Sequence, residues 1–157
     1  MRVLCCLDGT NIEQVSNAVK MMLNPASLTL GLLYVIDSGP QEELALHRER
    51  FLRGPHLPHP RQEQMRRAEV ASAQDILDEG LRYLPGAERL QRAGRPEREI
   101  VQCAADWNAD LIVICPRSPL ISEPASGPKS VGHVARFVLD HAPCPVLLVR
   151  KTNKGSA

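Results

Sequence analysis

Val3-Leu4-Cys5-Cys6-Leu7 runs straight into Asp8-Gly9-Thr10, five apolar side chains without a polar break and then a turn. A strand with one wet face alternates polar and apolar residues. An unbroken apolar run this short, cut by a turn, predicts a parallel strand covered on both faces. Beyond it Ile12, Val15, Ala18, Val19 and Met22 recur at helical spacing until Asn24-Pro25 stops them, with Thr10 placed as the N-cap. Leu28 to Ile36 is apolar again and closes at Asp37-Ser38-Gly39-Pro40. Strand, helix, strand in that order implies a right-handed crossover and a parallel sheet.

The same alternation continues to the end of the chain. Residues 38–61 interrupt it with Pro40, Gly54, Pro55, Pro58 and Pro60, a loop or insertion in which Glu42 to Leu52 can hold a short helix. Gln62 to Leu84 carries Val70, Ala73, Leu77, Leu81 and Leu84 on one stripe, and Pro85-Gly86 ends that helix. Ala87 to Ala93 reads as a charged strand at a sheet edge. Gly94-Arg95-Pro96 opens a helix that turns Ile100, Ala104 and Trp107 inward, with Pro96 in the first turn, where its missing N–H costs nothing. Leu111 to Cys115 is a second fully buried strand. After the loop 116–128, Val131, Val134, Ala135 and Val138 mark one helix face, and Pro145 to Val149 is the last strand. The sum is an α/β domain, a doubly wound five-stranded parallel sheet.

Composition narrows the function classes. A chain of 157 residues, 43% hydrophobic and 24% charged, suits one globular domain, here residues 1–150 with a polar tail at 151–157. Nineteen Lys and Arg stand against eighteen Asp and Glu, and aromatics are 3%, so neither a cationic field nor stacking platforms point to nucleic acid. Five cysteines without a CxxC pair point to reduced thiols in a cytoplasmic protein. Asp8 and Gly9 break the first apolar run too early for a signal peptide, and no membrane span is expected.

In an open parallel sheet, ligands enter the crevice beyond the carboxyl ends of the strands. Those ends are Asp8-Gly9-Thr10, Tyr34 to Asp37 and Cys115-Pro116-Arg117-Ser118, with the helix start at 126–133 beside them. Asp8 is there either as a ligand contact or as a cap for the first helix. Ser126-Gly127-Pro128-Lys129-Ser130 offers hydroxyls, a cation and free N–H groups to a phosphate, or is merely a proline-led helix start in water. Arg117 clamps phosphate or points to solvent. Cys115 is a thiol next to a helix N-terminus, and otherwise a packing residue. His133 is a base or a surface histidine, and His56 with His59 is a sparse metal pair lacking further ligands.

Leu7 to Thr10, Leu33 to Asp37, Gly94-Arg95-Pro96 with Ile100, Ala109 to Val113, and His141-Ala142-Pro143-Cys144-Pro145-Val146-Leu147-Leu148-Val149 together resemble the universal stress protein family, nearly end to end. The resemblance implies a Rossmann-like fold with strand order 3-2-1-4-5 and a homodimer paired through Val146, Leu147, Leu148 and Val149. It also implies action in stress survival on an unidentified regulated protein and, in one branch, an ATP site. Asp8 matches that branch's adenosine-side acid, and Val35 the residue whose backbone meets adenine. The branch's Gly-x2-Gly-x9-Gly-Ser/Thr motif is broken here. Cys115 and Ser118 replace its first two glycines, thirteen residues separate Ser118 from Gly132, and His133 replaces the hydroxyl residue. The expectation is therefore a regulatory module with an altered or lost nucleotide site. The alternative is an ATP- or AMP-binding protein that uses Asp8, Gly9, Thr10 and the 126–133 helix start, with Gly127, Lys129, Ser130, Gly132 and His133 on the phosphates. No Walker loop supports a phosphoryl-transfer enzyme.

Overall fold

The computed structural model describes residues 1–39, 43, 46, 47, 60–116 and 131–150. Its centre is β1 (Arg2–Leu7), hydrogen-bonded in parallel to β2 (Thr29–Asp37) on one side and to β4 (Leu111–Ile114) on the other. In register, Cys5 stands between Leu32 and Val113. β3 (Glu88–Gly94) pairs with β2, and β5 (Val146–Leu148) pairs with β4, so the order across the sheet is β3-β2-β1-β4-β5, all parallel. This is the doubly wound five-stranded sheet and the strand order expected.

Period-two alternation sorts β1 between two separate cores. Val3, Cys5 and Leu7 join Leu30, Leu32 and Val113 beneath α1 (Ile12–Met22) and α2 (Pro60–Tyr83), which contribute Val15, Val19 and Leu77. Leu4 and Cys6 join Leu33, Ile112 and Ile114 beneath α3 (Pro96–Asp106) and α4 (His133–His141), which contribute Ile100, Cys103, Ala135 and Val138. Each fully buried aliphatic side chain here stabilises the fold by about 1.5–3 kcal/mol before the entropy of ordering it is counted. The neighbouring cysteines at positions 5 and 6 thus belong to opposite faces.

Several expected boundaries move. Thr10 is not the cap of α1; Asn11 occupies that position, without a side-chain bond to the helix. α4 starts at His133 behind Gly132 rather than near Pro128, because Gly132 takes φ +82°, a left-handed turn that leaves Val131 outside the helix. A short 3-10 turn, Pro25–Ser27, separates α1 from β2. The short helix expected over Glu42 to Leu52 lies outside the described residues apart from 43, 46 and 47, as do His56, His59 and the tail.

The end of the sheet where the strands begin is closed by Trp107. Its Nε1 donates to Glu88 Oε2 at 2.9 Å, the Arg2 guanidinium lies 4.2 Å over its ring, and Arg2 Nε donates to its carbonyl at 2.8 Å. Gly31 in β2 makes room for the indole. A methyl group there would stand 2.9 Å from Leu90 Cδ1 and 3.0 Å from the Trp107 ring. β3 is protected as an edge strand by charge, with Arg89 paired to Asp78 at 2.7 Å and Arg92 to Asp106 at 3.1 Å. Overpacking of this kind costs about 1–3 kcal/mol, so Gly31→Ala is expected to lose that much unfolding free energy in a urea titration with an unchanged slope. Parental stability would mean that the indole moves aside freely.

Candidate functional site

Strand order reverses between β1 and β4, and a crevice of about 560 Å³ opens at their carboxyl ends. Its floor is the turn after β1. Asn11 is 4% exposed and holds that turn from both sides: its Nδ2 donates to the Cys6 carbonyl at 3.0 Å, and its Oδ1 accepts from the Asp8 N–H at 3.0 Å. Asp8 in turn accepts from the Thr10 N–H at 2.8 Å and the Thr10 hydroxyl at 3.0 Å, both through Oδ1. Asp8 therefore caps its own loop rather than helix α1, and its other carboxylate oxygen has no part in those two bonds. Gly9, at φ +91°, and Thr10 shape the loop but do not line the crevice.

Apolar wall comes from Leu33, Val35, Ile100 and Ile114, and the rim carries Asp37, Glu43, Arg95, Glu97 and His133. Asp37 Oδ1 accepts from the Gly39 N–H at 2.9 Å. Arg95 reaches Glu43 at 3.7 Å, and His133 Nε2 stands 3.5 Å from Glu97 Oε1. The guanidinium and the imidazole of the described lining thus each lie beside a carboxylate. Asp8, Val35, Cys115, Gly132 and His133, separated along the chain, meet at this crevice as the strand-end reading expected. Arg117, Ser118, Gly127, Lys129 and Ser130 lie outside the described residues.

Asn11, Arg95 and Glu97 were not among the residues expected there. The end of β3 opens on the same edge of the sheet as the other strand ends, and that alone would have pointed to Arg95 and Glu97. Asn11 carried no such signal, since an asparagine before a helix reads as a cap.

All five cysteines are free thiols. Burial pushes the Cys5 thiol from its ordinary 9.0 up to about 12. It also pushes Cys6, on the crevice floor, well above that ordinary value, helped by the neighbouring thiols. Cys115 packs with Val3 and Leu7 in the core beneath α1 and α2. Among the described residues, no group of three His, Cys, Asp or Glu side chains is placed to hold a metal ion. Among them too, no helix is long and apolar enough to cross a membrane.

Residues 1–150 match the model of the universal stress protein family. The chain belongs to that family. A universal stress protein of Thermus aquaticus, named for the QAH/OAS sulfhydrylase 3′ region, is 34% identical over 100 residues, which is 64% of this chain and 68% of its own. Universal stress protein UspA from Lactobacillus plantarum superposes with a TM-score of 0.66 at 22% identity, covering 96% of this chain and 97% of its own. A family member from Arabidopsis thaliana, solved with AMP bound, superposes with a TM-score of 0.61 at 15% identity, covering 100% of this chain and 95% of its own. At such identities the two superpositions show the fold.

Two outcomes follow for this family member. Asn11→Ala leaves the Cys6 carbonyl and the Asp8 N–H without their partner, a loss of about 1–3 kcal/mol in chemical denaturation. Faster amide exchange at residues 8–10 should accompany it, and unchanged exchange there would show that the loop holds its own shape. The thiols set a pH dependence. Above about 9 the unfolded chain gives up the protons that folded Cys5 and Cys6 retain, so their contribution to stability should be constant below 9 and fall as pH rises from 9 toward 12. Cys5→Ala should reduce that slope, as read from urea midpoints across the range.

Proposed function

We propose that this universal stress protein is a homodimeric, cytoplasmic regulatory module of the stress response whose altered site takes an adenine nucleotide bearing few phosphates. The charge set of the crevice carries this reading. An apolar wall of Leu33, Val35, Ile100 and Ile114 is suited to a purine, and the carboxylates of Asp8 and Asp37 are suited to accept from ribose hydroxyls. The start of α4 at Gly132 supplies backbone N–H groups and a positive dipole for a phosphate. Against that attraction the described lining holds four carboxylates, Asp8, Asp37, Glu43 and Glu97, and its one arginine, Arg95, is already beside Glu43. Each added phosphate brings more negative charge to a described rim already rich in carboxylates. The broken glycine pattern after β4 and the AMP bound by the Arabidopsis relative support the same reading.

Dimerisation rests on the sheet edge. β5 is the outermost strand, its side chains are half-buried, and Val149 continues the pairing by donating to the Ile114 carbonyl at 2.8 Å. The opposite side of β5 offers backbone groups to a second copy across a twofold axis. Five thiols without a disulfide suit a reducing compartment.

Calorimetric titration without divalent cations tests the site. AMP should bind more tightly than ATP, and Asp8→Ala should weaken AMP by about tenfold or more, the worth of a hydrogen bond to a charged group. ATP binding tighter than AMP, or no binding of either, would reject the reading. Light scattering after size separation should give twice the chain mass, and a charge placed at the edge, Leu147→Arg, should give the monomer.

A further inference from the structure

We propose that Glu97 sets how many phosphates the crevice accepts, by fixing a negative charge beside the start of α4; this rests on the nucleotide reading above. Three described helices, α1, α3 and α4, begin at the same crevice, and α1 carries Glu13 in its first turn. Pro96 and Glu97 occupy the first turn of α3, where proline leaves no N–H unsatisfied and an acid is favoured by the helix dipole. The first turn of α4 has no acidic residue, so among the described helices at the crevice its dipole is the one without an acid of its own. Glu97 Oε1 lies 3.5 Å from Nε2 of His133, the first residue of that second helix. The Glu97 side chain is only 12% exposed, whereas that of His133 is 78% exposed. The carboxylate is therefore held in the wall and weakly screened, while the imidazole beside it sits in water. Arg95, the guanidinium on the same rim, is turned to Glu43. A phosphate drawn to α4 meets Glu97, and repulsion grows with each further phosphate.

The parent chain, Glu97→Gln and His133→Ala are titrated with adenosine, AMP and ATP in buffer without divalent cations. Glutamine keeps the shape and removes the charge. Its gain in affinity should grow from adenosine through AMP to ATP, where about fivefold to tenfold is expected for one neighbouring charge at a solvated rim. His133→Ala, at an exposed ring and so safe for folding, removes the group 3.5 Å from the carboxylate and keeps the Glu97 charge, so the preference for AMP over ATP should persist. If the parent binds AMP but Glu97→Gln leaves the ATP-to-AMP ratio unchanged, or raises all three affinities equally, Glu97 is not the discriminator and the nucleotide reading stands. If none of the three proteins binds any of the three ligands, both proposals fall.

Discussion

β1 must bury both of its faces, and nearly every other feature of the molecule answers that requirement. Its five apolar side chains leave no surface for water, so helices have to cover both sides and strands have to flank both edges. The chain meets the demand by winding two strands outward from β1 in one direction and two in the other. The reversal separates the connections that leave β1 and β4, and the gap between them is the crevice. The site is thus a by-product of covering a strand, and its floor is the turn by which that strand leaves the core.

On the proposed reading, what the crevice accepts is decided by charges set around that gap. Asp8 reaches it through a loop clamped by Asn11, and the two helix starts bring one attraction and one repulsion to the same place. Neither helix start is unusual by itself. Their opposition arises because parallel strands deliver all of their following helices with the same polarity, N-termini toward the ligand.

The fold was legible because its signals are local. Residues 3–7 and 111–115 read as doubly covered strands because they are short apolar runs, and Pro96 and Asn24-Pro25 punctuate helices. The start of α4 was misplaced because a proline-led segment competes with a glycine whose left-handed conformation is a tertiary outcome. Asp8, Val35, Cys115, Gly132 and His133 were legible as crevice residues from strand-end position. Glu97 was not, since its significance depends on His133 lying 3.5 Å away on another helix. Asn11 was hidden by a residue type that usually caps helices, whereas here its amide turns backward to the strand.

Trp107, pinned by Arg2 and Glu88 and seated against Gly31, locks the end of the sheet opposite the crevice. Rigidity and recognition are thereby housed at opposite poles of one molecule. Descendants of such a chain are free to rewrite the side chains of the open pole, while the sealed pole keeps the polypeptide foldable throughout the change.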